Sequence, residues 1–266
     1  MRDFLDLLAI TAKRNLESGY YKVNVKMQER EKLSLKRAVW ECDRAAVISE
    51  IKFSSPSSGV LRNRGNVRLI SSEMAEAGVI GISILTEPKH FSGSLKALIE
   101  ARKSVNIPLL MKDIVVSRRQ IDAAYELGAD VVLLIEGLFE RGYTDVDLHE
   151  MIKYSHERNL EVLLETHSVK EFRKALLTDA DLIGINNRDL RTLKVDIKTT
   201  KKILEKFTRA EMGGRPIVSE SGIKTPSDIR FLRSCGADAF LVGSAIMAAN
   251  KIRETTVWLV NAYEKS

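Results

Sequence analysis

Short apolar runs alternate with amphipathic stretches along most of the chain, and this alternation predicts the fold. Beyond residue 45, runs rich in Val, Ile and Leu are separated by segments in which apolar residues have helical spacing. Strands that alternate with helices in this way are typical of βαβ units and a parallel sheet. The sequence predicts eight strands, at 46–52, 79–85, 108–112, 131–135, 161–165, 182–186, 216–220 and 239–242.

A repeated helix end favours a closed barrel over an open sheet. The tripeptide Gly-Ala-Asp stands just before an apolar run both at 128–130 and at 236–238. Eight βα units in about 220 residues match the (β/α)8, or TIM, barrel. An open doubly wound sheet normally has a Gly-x-Gly-x-x-Gly turn after its first strand, whereas residues 54–59 read Ser-Ser-Pro-Ser-Ser-Gly. We therefore predict an α/β protein with a single TIM barrel.

The first 45 residues lie outside the repeat. Apolar residues with helical spacing occur near 4–8 and again near 33–40. We expect residues 1–45 to form an N-terminal helical extension packed on a catalytic barrel of residues 46–266. A charged connector is expected around Lys22–Lys32.

Two helix starts inside the barrel carry a capping signature. Ser117 is followed three residues later by Gln120, and Ser168 by Glu171. In a capping box, the hydroxyl accepts from the helix backbone and the acid or amide accepts from the backbone N–H of the capping residue. We expect both pairs to form such boxes.

Acids, bases and amides stand at the C-terminal ends of several predicted strands. A charged group at the end of a buried strand is costly to desolvate unless it lies in a polar pocket, and barrel active sites lie at that end. Grouped acids and lysines can divide general acid and base work, although each alone could equally be a structural ion pair. Together they predict one active site, formed by Glu50, Lys52, Lys112, Glu165, Asn186 and Glu220.

Two adjacent loops have the small residues of an anion site. Ser221-Gly222 follows the seventh strand and Gly243-Ser244 follows the eighth. Backbone N–H groups in these two loops commonly bind phosphate in TIM barrels. The positions predict a phosphate site, although each dipeptide alone is more often an ordinary turn.

The composition narrows the classes of partner. The 266 residues carry a net charge of +6, but the basic residues are scattered and aromatic residues make up only 6%. A nucleic-acid interface would group basic and aromatic residues on one face, so we expect an enzyme whose field attracts an anionic metabolite. For most basic residues a solvated surface without a role is the alternative.

Membrane and metal classes are also disfavoured. No run approaches the roughly 18 apolar residues of a membrane span, and the first residues lack a signal-peptide core, so a cytoplasmic location is expected. Cys42 and Cys235 have no Cys-x-x-Cys spacing and no nearby His cluster. This excludes a zinc knuckle and a disulfide framework, and we predict no metal site.

Several segments, in their order, closely resemble the indole-3-glycerol phosphate synthase family of tryptophan biosynthesis. The motifs Glu50-x-Lys52-x-x-Ser-Pro-Ser and Gly184-Ile-Asn-x-Arg-Asp-Leu are the most specific of them. The likeness runs from about residue 1 to residue 250. The other matching segments are 83–87, 91–94, 110–113, 164–167, 219–223 and 241–244.

The resemblance implies a reaction and a role for each predicted residue. The family converts 1-(2-carboxyphenylamino)-1-deoxyribulose 5-phosphate into indole-3-glycerol phosphate, CO2 and water, without a metal or organic cofactor. By resemblance, Lys112 is the general acid of ring closure, Glu165 is a base or acid in dehydration, and Glu50 stabilises cationic character. Lys52 would hold the substrate carboxylate, and Asn186 and Glu220 the sugar hydroxyls. Phosphate would bind at Ser55, Gly222, Gly243 and Ser244, with Arg188 and Ser221 bracing the pocket.

Two positions depart from the family pattern. The family usually has an aromatic residue two places after the catalytic lysine, where this chain has Ile114. We therefore expect the wall against the anthranilate ring either to be shallower or to be supplied by Phe91 and Leu133. Glu136 follows the fourth strand, where small apolar residues are usual, and is expected to be a loop residue rather than an additional active-site carboxylate.

Two other functions remain open on the sequence alone. A sister barrel such as phosphoribosylanthranilate isomerase would need a cysteine base at a strand end, where neither Cys42 nor Cys235 is expected. A non-catalytic anion-binding barrel would not need the acid–base set. For the enzyme, we expect a small phosphorylated anionic substrate, a monomer, and no nucleic-acid or membrane partner.

Overall fold

Eight parallel strands close into a barrel, as the apolar runs predict. The computed structural model describes residues 3–23, 31–55, 59–62 and 65–263, with only the backbone of Ser55. Barrel neighbours follow the chain order from β1 through β4 to β10, which pairs again with β1, while β2 and β3 form a separate antiparallel hairpin. The strands are β1 Ala46–Ile51, β2 Ser54–Ser55, β3 Gly59–Val60, β4 Gly81–Leu85, β5 Leu109–Lys112, β6 Val131–Ile135, β7 Glu161–Thr166, β8 Leu182–Asn186, β9 Ile217–Glu220 and β10 Ala239–Val242.

Helices lie between successive barrel strands and before β1. The expectation of a single TIM barrel is confirmed. The described helices are α1 Phe4–Glu17, α2 Leu35–Glu41, α3 Val67–Glu76, α4 Leu95–Arg102, α5 Arg118–Glu126, α6 Glu136–Glu140, α7 Leu148–Glu157, α8 Val169–Ala175, α9 Lys198–Leu204, α10 Pro226–Ser234, α11 Ser244–Met247 and α12 Ile252–Val260.

The two predicted capping boxes form only in part. Ser117 and Ser168 do cap α5 and α8 with their hydroxyl groups. Gln120 accepts instead from the N–H of Val116, and Glu171 from that of His167, one residue before each cap. The prediction was wrong in this detail, because these longer side chains fix the loop that enters the helix.

Alternation along each strand separates two apolar cores. Outward residues such as Val47 and Phe240 pack against the helices, while Ile48, Leu163 and Leu241 fill the barrel interior. Successive strand residues face opposite sides, so the inward register continues to the polar groups at the strand ends. The register that buries Ile48 therefore directs Glu50 inward.

The N-terminal helices lie at opposite ends of the barrel. Phe4 and Leu8 of α1 border the cavity at the C-terminal strand ends. Near the start of α2, the Ser34 hydroxyl and the Leu35 N–H donate to Glu161, the first residue of β7. The middle of the predicted connector, residues 24–30, lies outside the described residues. Assignment of residues 1–45 as a separate extension stays a prediction.

Candidate active site

A cavity of about 670 Å³ opens at the C-terminal strand ends and collects the predicted residues. Ser55 lies in β2, in the loop after β1, and its side chain is outside the described part. The other predicted residues all border the cavity: Glu50, Lys52, Phe91, Lys112, Ile114, Leu133, Glu165, Asn186, Arg188, Glu220, Ser221, Gly222, Gly243 and Ser244. This volume lies in the range of small-molecule sites, about 300–1,000 Å³.

Lys112 lies between two buried carboxylates. Its Nζ atom donates to Glu165 Oε2 at 2.9 Å and to Glu220 Oε2 at 2.8 Å. Burial alone would lower the pKa of Lys112, but the charges of Glu165, Glu220 and Glu50 outweigh it and raise this pKa above the ordinary value. Lys112 therefore carries a proton at neutral pH and points it into the cavity.

Glu165 is held ionised from several sides. Besides Lys112, the Asn186 amide donates to Glu165 Oε1 at 3.0 Å. Burial opposes ionisation, but Lys112 and then His167 overcome it, so the pKa of Glu165 lies below its usual range. His167 is not among the residues that border the cavity; its Nε2 atom lies 3.3 Å from Glu165 Oε1.

Glu220 has the opposite tendency. Burial raises the pKa of Glu220 to about 7 against the pull of Lys112, with negative Glu165 and Glu50 adding to the rise. Its carboxylate occupies the space above Gly184 in β8, where a Cβ atom would overlap Glu220 Oε1. A glycine inside a strand often marks such a close approach. Because its pKa is about 7, Glu220 can change protonation near neutral pH.

Glu50 and Lys52 form a second ion pair, at the end of β1. Lys52 Nζ lies 2.7 Å from Glu50 Oε1. Both side chains lie over Gly243, where an added Cβ would come 2.5 Å from Glu50 Oε1 and 3.0 Å from Lys52 Nζ. The Lys52 charge thus lies beside one of the two predicted phosphate loops.

The loop after β9 has a left-handed backbone. Ser221 has φ of 69° and Gly222 has φ of 86°. Residues other than glycine rarely adopt positive φ angles, and those that do cluster at functional sites. Asn187, buried behind the loop, donates to Ser221 O at 3.1 Å and helps to hold this shape.

Apolar residues form the opposite wall. Phe91, Ile114 and Leu133 border the cavity together with Phe4 and Leu8 of α1. The loop that carries Phe91 is organised by buried Glu87, whose carboxylate accepts from the backbone N–H groups of residues 89–91. An aromatic ring can therefore be enclosed between β4, β5, β6 and α1.

Asp113 and Glu136 are bound by other parts of the chain. Asp113 accepts from the Tyr21 hydroxyl at 2.9 Å, from the Thr86 hydroxyl and from the Ile114 N–H at 2.7 Å. Burial raises the pKa of Asp113 to about 6. Glu136 is not a loop residue: it begins α6 and pairs with Lys174 at 3.0 Å.

Arg188 supports the loop after β8. Its guanidinium donates to Leu193 O at 3.1 Å, and its backbone N–H donates to Asn186 Oδ1. Burial lowers the pKa of Arg188, against the attraction of Glu50. In this loop Val195 lies close above Gly222. The loop that follows β8 therefore covers the loop that follows β9.

Sequence reasoning missed the cavity roles of Phe4, Leu8, Glu87 and Gly184. The apolar spacing of Phe4 and Leu8 predicts a helix but not the end of the barrel that it covers. Gly184 did carry a signal, since it interrupts an apolar strand run. Glu87 carried none, because its partners are backbone groups of a loop.

The positions of the cysteines and helices bear on the other classes. Cys42 ends α2 and Cys235 ends α10, and neither borders the cavity, so the isomerase alternative lacks its base. Within the described residues, no three His, Cys, Asp or Glu side chains are grouped as metal ligands. No described helix is both long and apolar enough to cross a membrane.

Similarity to the solved structures is limited to the fold. Thiamine phosphate pyrophosphorylase from Pyrococcus furiosus superposes with a TM-score of 0.60 at 18% identity, over 86% of this chain and 97% of that one. A structure titled native KDPGal superposes with a TM-score of 0.56 at 16% identity, over 89% and 97%. At these identities the likeness shows the barrel fold alone.

Similarity in sequence is more specific. The indole-3-glycerol phosphate synthase of Methanocaldococcus jannaschii is 42% identical over 245 residues, which cover 91% of this chain and 88% of that protein. The enzyme of the same name from Sulfurisphaera tokodaii is 42% identical over 213 residues, 80% and 82% of the two chains. The family model for indole-3-glycerol phosphate synthase matches residues 6–259. With a cavity that gathers the family's motif residues and a match over nearly its whole length, the chain belongs to the indole-3-glycerol phosphate synthase family.

Proposed function

We propose that the chain converts 1-(2-carboxyphenylamino)-1-deoxyribulose 5-phosphate into indole-3-glycerol phosphate, CO2 and water, with Lys112 as the general acid of ring closure. The observation that carries this proposal is the Lys112 ammonium group held between Glu165 and Glu220 inside the cavity. Ring closure places negative charge on the ketone oxygen of the substrate. A buried ammonium group that stays protonated can donate to that oxygen where water is excluded.

Glu165 is suited to take a proton after closure. Because Lys112, His167 and Asn186 favour its ionised form, Glu165 begins the reaction as a carboxylate and can act as a base. Loss of CO2 from the attacked ring carbon needs no base, so the proton that Glu165 takes is the one released when the new five-membered ring gains its double bond, and it can be passed to the hydroxyl group that leaves as water. Glu50 would stabilise cationic character on the closing ring, and Asn186 and Glu220 would bind the sugar hydroxyls.

The two ends of the substrate match the two sides of the cavity. Backbone N–H groups of Gly222 and Gly243, with Ser244 and the loop of Ser55, would receive the phosphate. Lys52, beside Gly243, would hold the substrate carboxylate and add positive charge near the phosphate. The anthranilate ring would then pack on the apolar side formed by Phe91, Ile114, Leu133, Phe4 and Leu8.

Leu8 and Phe4 compensate for the absence of an aromatic residue at 114. Leu8 is 1% exposed and borders the same cavity as Ile114. Helix α1 therefore closes the side of the aryl pocket where a larger ring stands in most of the family.

We further propose that the enzyme acts as a cytoplasmic monomer and binds no nucleic acid. Side chains from one chain supply both the charged and the apolar side of the cavity, so a second subunit is not needed to complete it. Its volume suits a metabolite rather than a polymer. Light scattering of the purified protein, with and without added RNA, tests the oligomeric state and the partner.

The activity is tested by following indole fluorescence after mixing the protein with the carboxyphenylamino-deoxyribulose phosphate in the presence of a metal chelator. Lys112→Arg keeps the positive charge between the carboxylates, but guanidinium does not release its proton. We expect kcat to fall by at least about 100-fold, the lower range for loss of an acid–base group. Near-normal turnover in this variant would contradict the role of Lys112.

Lys153→Met serves as the control, because Lys153 is exposed on α7, away from the cavity. We expect it to leave the fluorescence rate unchanged. Circular dichroism of both variants establishes that they are folded. A native protein that binds the substrate without any rise in fluorescence would contradict the proposed reaction itself.

A further inference from the structure

His167 occupies a buried position directly behind Glu165. It follows β7 and precedes the cap of α8, and its side chain is 14% exposed. The ring lies between two carboxylates: Nε2 is 3.3 Å from Glu165 Oε1, and Nδ1 is 3.4 Å from Glu171 Oε2. These are ion-pair distances; Nε2 makes no hydrogen bond, and His167 is not among the residues that border the cavity.

The two carboxylates decide the charge of the ring. An ionised carboxylate only accepts hydrogen bonds, and a neutral imidazole has one N–H donor and one lone pair. A neutral ring would therefore direct a lone pair at one of the two acids, whereas an imidazolium places positive charge beside both. Burial lowers the pKa of His167, but Glu165 and Glu171 outweigh it and raise this pKa to about 9.

Further charged groups lie around this unit on β1, β5, β9 and α6, and on α8 itself. Lys112 of β5 binds the far oxygen of Glu165, and Glu220 of β9 shares that lysine. On the other side, Glu171 is pinned by the backbone N–H of His167. The remaining groups near the unit are Glu50 at the end of β1, Glu136 and Glu140 of α6, and Lys174 of α8.

We propose that His167 is a positioning residue of the reaction, an imidazolium shared by Glu165 and Glu171 that keeps Glu165 ionised and fixes its orientation. The inference rests on the proposed role of Glu165 as a base. Asn186 and His167 both face Oε1 of Glu165, so Oε2 is left to Lys112 and the substrate. Glu171 acts on the reaction only through His167.

This arrangement sets the basic limb of the pH–rate profile. Lys112 has its pKa raised above 10.5 by the surrounding acids, so it does not lose its proton first. As the pH rises through about 9, His167 loses its charge and Glu165 loses one of its two supports on Oε1. We therefore expect kcat/KM to fall with a midpoint near pH 9 in the unsubstituted enzyme.

The kinetic test uses His167→Gln, which can still donate a hydrogen bond but has no charge. At pH 7.5 we expect kcat to fall by roughly 10-fold, because the positive charge beside Glu165 is lost, with KM changed by less than about twofold. The basic limb near pH 9 should disappear from this variant. Glu171→Gln should move that limb to lower pH and should add nothing in the His167→Gln background.

His149→Gln is the matched control, because His149 is exposed on α7. It should leave both the rate and the limb in place. An unchanged basic limb in His167→Gln would overturn the proposal, as would an additional loss of rate when Glu171→Gln is combined with it. Either outcome would leave the reaction and the role of Lys112 intact.

A second readout is independent of activity. The chain has four histidines, so the imidazole signals of 15N-histidine-labelled protein can be assigned by their absence from single His→Gln variants. The His167 signal should titrate near pH 9 rather than near the ordinary value of about 6.5, and Glu171→Gln should lower that midpoint. Titration of His167 at or below the ordinary value would overturn the proposal.

Discussion

Gly184→Ala tests whether the site depends on free space beneath Glu220. The substitution adds one methyl group inside the barrel, at a backbone position that alanine can adopt. The new Cβ would overlap Glu220 Oε1 and would lie 3.4 Å from the Cα atom of Glu165. Because this Cα atom is part of the backbone of β7, the Glu220 carboxylate is the group that must move.

The size of the effect follows from the ion pair with Lys112. Relief of the overlap requires a shift on the order of 1 Å, since nonbonded heavy atoms are most stable about 3.5 Å apart or more. Lengthening the 2.8 Å contact of Glu220 with Lys112 by that amount weakens the attraction by about 1.6 kcal/mol at an effective dielectric constant of about 20. If that interaction supports the transition state, kcat falls by roughly 10-fold.

The assay combines the fluorescence rate with urea denaturation. Overpacking should cost about 1–3 kcal/mol of unfolding free energy, which leaves a typical domain folded. Gly65→Ala, at an exposed glycine outside the cavity, should change neither quantity by a comparable amount. A folded Gly184→Ala enzyme with the original kcat would refute the reasoning that this glycine makes room for Glu220.

Three other substitutions test separate features of the structure. Since the pKa of Glu220 is raised to about 7, kcat/KM should fall as the pH decreases through 7. Glu220→Gln should abolish this acidic limb in the fluorescence assay. If the limb persists in the variant, another group is responsible for it. The pKa of Asp113 is about 6 in the folded state and 3.8 in the unfolded state. Its contribution to the free energy of unfolding is therefore largest below pH 3.8 and has fallen by about 3 kcal/mol once the pH has risen through 6. Asp113→Asn should therefore gain stability relative to the unsubstituted protein between pH 4 and pH 7 in urea denaturation, and a difference independent of pH would contradict this. Glu161 lies at the opposite end of the barrel and holds the start of α2. Glu161→Ala should therefore cost about 1–3 kcal/mol of unfolding free energy and leave kcat per folded molecule unchanged. A large loss of kcat would show that the two ends of the barrel are coupled.

The strands and the end that carries the site could be predicted because both depend on local patterns. Each predicted strand overlaps an observed one, with bounds that differ by two residues at most. The inward direction of Glu50 and Lys112 follows from period-two alternation continued past the last apolar residue. Closure of the barrel then brings strand ends together that are far apart in the sequence.

Contacts made by the N-terminal segment could not be predicted in the same way. Tyr21 binds Asp113 across 92 residues of sequence, and Leu8 borders the same cavity as Ile114. Helical spacing indicates which face of α1 is buried, but the surface on which that face packs is decided by tertiary structure. The pairing of His167 with Glu171 was missed for a related reason, because a capping signature placed the Glu171 carboxylate one residue away from where it binds.

The charge of the cavity revises the simple picture of a basic protein that attracts an anion. The chain carries +6 overall, yet among the described residues that border the cavity, acidic side chains outnumber basic ones by seven to four: Glu50, Glu87, Asp113, Glu165, Asp196, Glu220 and Asp228 against Lys52, Lys112, Arg188 and Lys224.

Several of these carboxylates are already committed to protein donors. Glu87 accepts from three backbone N–H groups, and Asp228 from those of residues 224 and 225. Asp113 and Glu220 bind protons more readily than ordinary acids because they are buried. Attraction over long distances therefore depends on the whole protein, whereas inside the cavity we expect binding to depend on backbone N–H groups and on the ammonium groups of Lys52 and Lys112.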